Sequence, residues 1–169
     1  ESLGDGSGED ELRQVREVLV YCDGGSRGNP GPAAIGAVVL DATVDPPERL
    51  ATVSECIGVA TNNEAEYRAL IHLLEKAASD PVLAKSGAKH LRIHSDSKLL
   101  VEQVAGRWKI KEPRLQGLYD QVQIAKAAVP FTLRIKHIPR EDNQRADQLV
   151  NQALDQAAAA PPASQYSSF

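Results

Sequence analysis

The chain contains no methionine, two cysteines, one tryptophan and only 4% aromatic residues in 169 positions. Each shortage excludes something. Two cysteines, Cys22 and Cys56, are too few to staple a small secreted fold, so they read as reduced thiols carried on strands in a cytoplasmic protein. No apolar run approaches the roughly 20 residues that span a bilayer, and the start lacks the pattern of a secretory leader. The absence of methionine marks the sequence as a piece to which an upstream segment can belong. Net charge is −4, which taken alone argues against a nucleic-acid partner.

What is present is unevenly placed. Residues 85–114 hold eight Lys or Arg against three Asp or Glu, whereas residues 1–11 hold five acids and no base. A basic strip on an acidic protein can grip a polyanion by one face, and it is equally what a solvated helix and loop would show. With 42% hydrophobic and 25% charged residues, the remainder has the makings of one globular domain with a full core.

Residues 21–32 (YCDGGSRGNPGP) are the stretch around which the rest is read. A β-rich run over 17–23 delivers Asp23 to four glycines and two prolines, a composition that forbids a helix and predicts a tight loop with exposed backbone NH groups. Asp23 is then either a strand-end acid beside open donors or a turn residue bonding its own backbone. On the first strand Leu19, Tyr21 and Asp23 share one face and Val18, Val20 and Cys22 the other. Two more strands are predicted at 33–40, where Gly36 marks a close approach or a bulge, and at 50–59, completing an antiparallel meander.

At Thr61 the period changes. Thr61 and Glu64 form a Thr-x-x-Glu capping box, and Leu70, Leu73, Leu74 and Ala77 follow at helical spacing, so a helix is predicted to residue 79. Glu66 falls on its inward stripe, where a carboxylate is costly unless something cationic receives it. A further turn of helix or loop is expected from Asp80-Pro81 until Gly87 breaks it. Next come a strand at 91–95 ending in Asp96, a helix at 98–104, a basic loop at 106–113 with Trp108, and a helix at 114–128. A strand at 131–137, a loop at 139–143 and a last helix at 143–158, with Asp147 in its first turns, complete the succession. Strand, helix and strand in that order predict that 91–95 runs parallel to 17–23, and acids at the carboxyl ends of parallel strands lie where open α/β sheets keep their sites. The expected fold is α/β, a five-stranded mixed sheet in the order βββαβαβα flanked by helices, over 17–156. Residues 1–16 are expected to be a disordered acidic segment. Residues 157–169 read as an Ala/Pro/Ser-rich tail or linker that can lead to another domain.

Four acids stand at punctuated places: Asp23, Glu66, Asp96 and Asp147. Carboxylate oxygens without Cys, and with His only peripheral, suit a hard cation such as Mg²⁺ or Mn²⁺. Brought together, four acids would not all stay ionised without such a charge. Two ions about 4 Å apart can hold the attacking water and the leaving oxygen of a displacement at phosphorus. The competing reading is four scattered surface acids.

The motifs DGGSRGNPGPAAIG, TNNEAEYRAL, HSDSKLL and HIPREDNQRADQL, in this order and spacing, resemble ribonuclease H of type I over about residues 17–155. The resemblance implies the ribonuclease H-like fold. It also implies an endonuclease that cleaves the RNA strand of RNA/DNA hybrids with Mg²⁺ or Mn²⁺, two ions per site, leaving 5′-phosphate and 3′-hydroxyl ends. By this likeness Asp23, Glu66, Asp96 and Asp147 are the metal-binding and catalytic acids. Glu66 is chosen over Glu64 because the family's acid stands three residues after the second Asn. His137, ten residues before Asp147, matches the family's loop His that moves a proton or helps release product, although a strand-end His satisfied by its neighbours would look the same.

The likeness extends to substrate contacts. Asn29 and Thr61 match positions that seat a DNA phosphate. Asn62 and Asn63 match residues touching the minor groove of the hybrid, within reach of the 2′-hydroxyl that tells RNA from DNA, and the loop amides of Gly24, Gly25 and Ser26 match contacts to the RNA strand. Lys98, Trp108 and Asn143 complete the expected substrate-binding set. As an alternative, each Asn is a turn or cap residue. The sequence departs from relatives that insert a lysine-rich helix after the second helix: only residues 106–111 remain of such a platform, with Arg107, Lys109 and Lys111 around Trp108. If Trp108 is a core residue, hybrid binding is weaker and the substrate range broader. Expected partners are RNA/DNA hybrid and, within the family's range, RNA duplex. No membrane is expected, and the chain is read as a monomer or as one part of a fusion through its C-terminal tail. A hybrid-binding module without turnover is the rival reading, and the complete set of four acids argues against it, since clustered negative charge facing phosphates does nothing for mere binding.

Overall fold

A computed structural model describes residues 15–81 and 89–160. Strands β1 (Glu17–Ser26) and β2 (Gly31–Asp41) form a hairpin, and β3 (Glu48–Ala60) extends it on the far side of β2, all antiparallel. On the other side of β1 lie β4 (His90–Ser95) and β5 (Thr132–His137), both parallel to it, so the five-stranded sheet has the order β3-β2-β1-β4-β5. The strand that carries Asp23 is therefore central, with an antiparallel neighbour on one side and a parallel one on the other. The mixed α/β sheet read from the sequence is the one observed.

Among the described residues four helices flank it: α1 (Asn62–Ser79), α2 (Lys98–Val104), α3 (Pro113–Ala128) and α4 (Gln144–Ala159). Helix α1 starts where the capping box predicts, with Thr61 Oγ1 accepting the Glu64 amide at 3.1 Å and Glu64 Oε1 accepting the Thr61 amide at 2.9 Å. It packs with α3 on one face of the sheet, and Val18, Val20 and Cys22 of β1 join Leu70, Leu73 and Leu74 in the main core. Helix α4 lies on the opposite face over β1, β2 and β3, burying Val150, Ala153 and Leu154 against Ala34. The alternation of β1 thus splits as the sequence predicts, apolar residues toward α1 and Asp23 toward α4.

The glycine-rich stretch differs from its reading as a loop. Strand β1 continues through it to Ser26, with Gly24, Gly25 and Ser26 opposite Ile35, Ala34 and Ala33, and the turn shrinks to residues 27–30. Glycine is there because a helix comes too close for anything larger: a Cβ on Gly24 would lie 2.1 Å from the Ala65 carbonyl oxygen of α1, and one on Gly36 would lie 2.5 Å from the Ala146 carbonyl oxygen of α4. Of the two alternatives for Gly36, close approach is the one observed, while the register shifts of β2 against β3 fall at Ala33/Ala34 and Val39/Leu40.

The ends also differ from expectation. Helix α4 runs to Ala159, so residues 157–159 are helical and not part of a tail. Val15 is buried in the core, and the Arg16 carbonyl accepts the amides of Lys89 and His90 at 2.9 and 3.2 Å, so the packed chain reaches back before residue 17. The predicted loop at 139–143 contains a 3₁₀ turn, Arg140–Asp142. The acidic leader before residue 15, the helix or loop expected between Pro81 and Gly87, and the tail after residue 160 lie outside the described residues.

Because the Gly24 contact is with backbone, which cannot swing away, Gly24→Ala is expected to cost about 3 kcal/mol of stability through overpacking. Urea denaturation checks this, and an unchanged midpoint would show that α1 can shift without loss.

Candidate active site

Three of the four predicted acids meet. Asp23 near the end of β1, Glu66 one turn into α1 and Asp96 just past β4 present carboxylate oxygens that all lie within 4.8 Å of one another. Three different elements deliver them. The close seat of α1 on Gly24 brings Glu66 to the sheet, and the parallel pairing of β1 with β4 puts Asp23 and Asp96 at neighbouring strand ends. Asp147, in the first turn of α4, is exposed and stands beside this triad: it lines the same cleft, near enough to raise the pKa of Asp23. Asn151 Nδ2 holds it from one turn further on, at 3.1 Å from the Asp147 carbonyl oxygen and 3.4 Å from Oδ2. Glu64 is elsewhere, its carboxylate spent on the cap and held below its ordinary pKa mainly by the Thr61 amide.

Crowding dominates the electrostatics. Burial, and then the charges of Asp96 and Asp147, push Asp23 up from its ordinary 3.8 to about 7, against a hydrogen bond from the Gly24 amide. Burial, then Asp23 and Asp96, push Glu66 well above the usual carboxylate range. Cys22, behind them in the core, is likewise raised by burial and by the same three acids. A donor set of clustered, partly buried carboxylate oxygens suits a hard divalent cation, which would relieve the repulsion that otherwise holds protons on the site. Asp23, Glu66, Asp96 and Asp147 are the residues placed to hold it.

The neighbouring polar groups have uses that motif matching did not reveal. Asn143, expected among the substrate contacts, is instead 1% exposed. Its Nδ2 donates to the Cys22 carbonyl oxygen at 2.8 Å and to Asp96 Oδ2 at 3.2 Å. The 3₁₀ turn folds the chain back under the strand ends, which makes Asn143 a positioning residue for Asp96. The Gly24 amide, expected to face RNA, also draws the pKa of Asp23 and Glu66 downward against their burial. Asn29 Oδ1 accepts the Asn62 amide at 2.9 Å, and Asn62 Oδ1 accepts the Ser26 amide at 3.4 Å, so the hairpin turn and the start of α1 are laced together. Gly25, Ser26 and Asn62 line the acid cleft, and Asn63 is half-buried on the first turn of α1.

Other predicted residues lie farther out. His137 is exposed at the end of β5, paired in register with Ser95, and is not among the residues lining the acid cleft. Trp108 is 44% exposed, which excludes the core reading, and the Lys98 ammonium sits 5.9 Å from its ring centroid. The loop bearing it is tied to α1 through a buried chain: the Tyr67 hydroxyl donates to Gln103 Oε1 at 2.7 Å, and Gln103 Nε2 donates to the Lys109 carbonyl oxygen at 3.2 Å. Sequence reasoning missed Arg27 and Arg140, both in the cleft wall. Arg27 is drawn to α4 by Asp155 at 2.6 Å and Asn151 at 3.3 Å. Both arginines sit inside the quoted motifs, so their presence was visible and only their direction was not.

The model of the family described as reverse transcriptase-like matches residues 21–153. A bifunctional protein of Mycobacterium tuberculosis is 48% identical over 142 residues, which cover 84% of this chain and 36% of that protein; the chain thus spans about a third of the length of the first curated relatives it matches. A ribonuclease HI of Halobacterium salinarum is 41% identical over 143 residues, covering 83% of this chain and 65% of its own. Among solved structures, LC11-RNase H1 in complex with an RNA/DNA hybrid superposes with a TM-score of 0.74 at 40% identity, covering 84% of this chain and 99% of that one.

The raised acids make stability depend on pH in a definite direction. Between about pH 4 and pH 7 the folded chain keeps on Asp23 a proton that the unfolded chain has lost, and Glu66, raised as well, acts in the same direction. Stability therefore falls as pH rises through that window. In EDTA the protein is expected to be about 2 kcal/mol or more stabler at pH 5 than at pH 8 from this source, and Asp23→Asn should flatten the dependence and raise the melting temperature at pH 8. Thermal scans across pH measure both, and a wild-type profile with the opposite slope would mean that the acids are not crowded.

Proposed function

Because the chain belongs to the reverse transcriptase-like family and, within it, to the type 1 ribonucleases H, we propose that it is a divalent-metal-dependent endonuclease that hydrolyses the RNA strand of RNA/DNA hybrids. The observation that carries this reading is the convergence of Asp23, Glu66 and Asp96 to within 4.8 Å. A carboxylate cluster of that density is destabilising on its own and useful only with cations. The hybrid bound to LC11-RNase H1 supports the choice of substrate.

In this proposal Asp23, Glu66, Asp96 and Asp147 would hold two Mg²⁺ or Mn²⁺ ions. Bound there, such cations supply Lewis-acid neutralisation of the phosphate charge and make a water acidic enough to attack. The overall reaction joins the water oxygen to phosphorus and breaks the bond to the 3′ oxygen, leaving 5′-phosphate and 3′-hydroxyl ends. The protein's part is to fix geometry. Asn143 holds the Asp96 carboxylate, and the Asn151 amide steadies Asp147. Since the side-chain oxygens of Asn29 and Asn62 are already engaged, their NH₂ groups, with that of Asn63, remain as donors for phosphate, base edge or 2′-hydroxyl. Thr61 presents the start of α1 to a DNA phosphate, and Gly25 and Ser26 edge the RNA strand. Trp108, beside Lys98, offers a stacking and phosphate-binding surface. His137, exposed at the end of β5, would carry a proton toward the departing oxygen or ease product release.

Among the described residues no helix is long and apolar enough to cross a membrane, and we place the protein in the cytoplasm. The bifunctional relative supports reading the chain as one part of a longer polypeptide.

The test is cleavage of labelled RNA/DNA, RNA/RNA and DNA/DNA duplexes side by side, with Mg²⁺ and with EDTA. Internal cuts in the RNA of the hybrid that vanish in EDTA are expected. Asp96→Asn should lower turnover by at least about 1,000-fold while leaving hybrid affinity within a few-fold, and wild-type turnover in that variant would remove Asp96 from the site. Glu64→Gln, by contrast, should cost about 1 kcal/mol of stability and little activity. Severe inactivation by Glu64→Gln would mean that Glu64, and not Glu66, is the metal-binding glutamate.

A further inference from the structure

Helix α4 packs on β1, β2 and β3. Beside it, β4 and β5 turn a different surface outward. Their alternate residues Leu91, Ile93, Leu133 and Ile135 face the core, and the residues between them form rows across the strands: Glu17–His90–Thr132, Leu19–Arg92–Arg134 and Tyr21–His94–Lys136. His90, Arg92, Arg134 and Lys136 are exposed. Glu17 is the one acid in these rows and lies 3.8 Å from Arg92, while Arg134 and Lys136 have no ion pair among the described residues. Glu17, His90, Arg92, Thr132 and Arg134 line a surface recess. His94 feels this concentration of charge, since burial and then Lys136 and Arg92 hold its pKa below the ordinary value.

Two features say what such a face is for. Unpaired cations repel one another, so the arrangement stabilises nothing internally and is best matched by an external row of anions. The strip also leads to the acid cleft: Asp23 stands two residues beyond Tyr21 on the same face of β1, and Asp96 stands two beyond His94. Four residues of strand span about 13 Å, near the rise of four nucleotides in a duplex strand. Apart from the exposed His90 and the pair Tyr21 and His94, stacked edge to face at 5.1 Å, the rows contain no ring and are dominated by cations, so contact would be mainly to phosphates and indifferent to sequence.

We propose that the outward face of β4 and β5 is a track for the phosphates of a single-stranded extension of nucleic acid whose duplex portion sits at the acid cleft. The direction of that duplex rests on the endonuclease reading, but the track itself does not need turnover. It would make the protein prefer hybrids that end in a single strand over blunt ones.

Fluorescence anisotropy in EDTA compares a blunt RNA/DNA hybrid, the same hybrid with a single-stranded DNA tail at either end, and a thymidine oligonucleotide alone. A tail is expected to tighten wild-type binding about 5-fold at low salt and to steepen the dependence on salt by about one to two phosphate contacts. The exposed pair Arg134→Gln with Lys136→Gln should lose that increment while binding and cleaving the blunt hybrid as wild type does, with an unchanged melting temperature. Equal wild-type affinity for tailed and blunt hybrids overturns the proposal, as does an increment that survives in the double variant. Binding of poly-glutamate peptide to this face with no increment from the tail also overturns it, in favour of an acidic protein partner. If the blunt hybrid is bound but never cut, the endonuclease reading fails while the tail increment still decides this one.

Discussion

The structure turns on the mutual repulsion of carboxylates held where water is scarce. Asp23 and Glu66 are 7% and 6% exposed, and the fold must hold them together against a force that would drive them apart or keep them protonated. It does so by using rigid pieces. The central strand fixes Asp23, and a backbone-to-backbone contact at Gly24 fixes the helix bearing Glu66. The parallel neighbour β4 then carries Asp96 to the same end. Asp23 and Glu66 sit within regular elements, and Asp96 stands one residue past β4, where Asn143 holds it. Acids on long loops would relax outward, and the site would lose the charge density that suits a divalent ion.

Around this cluster the polar residues divide into those that hold and those left free to contact something else. Asn143 belongs to the first group, its Nδ2 joining the β1 backbone to Asp96. Asn29 and Asn62 use one end of each amide to stitch the hairpin turn to α1, so the first turn of that helix cannot move independently of the strand that carries Asp23. Arg27 performs a similar service toward α4 by reaching Asn151 and Asp155. Because Asn151 also steadies Asp147, the turn, the helix and the fourth acid are linked by a short chain of contacts.

The sequence announced much of this and misdirected at informative places. Strand alternation and the capping box placed Asp23 toward one face and Glu66 toward the interior, and the meeting of Asp23 with Asp96 followed from the parallel pairing that the strand–helix–strand order required. The glycines were legible as special but not as what they are. A glycine needed for a turn and a glycine needed because a helix sits 2.1 Å from its absent side chain look identical in one dimension. Asn143 misled for a related reason: a polar residue in a loop reads as solvent-facing, and only the 3₁₀ turn sends it inward. Trp108 was undecidable from composition, since a lone tryptophan among cations fits core and surface alike. The outward cations of β4 and β5 were present as a period-two pattern, but their meaning needed the knowledge that α4 covers only the other three strands.

The order in which the cleft is completed follows from its connectivity. Asp23 belongs to the first strand made, yet its pairing partner β4 is synthesised only after α1, and α4 with Asp147 comes last of all. During translation the early hairpin can form as soon as it leaves the ribosomal tunnel, but a growing chain has no finished pocket until nearly its whole length has emerged. The pocket that gathers the four carboxylates is therefore the last part of the domain to be completed as the chain emerges.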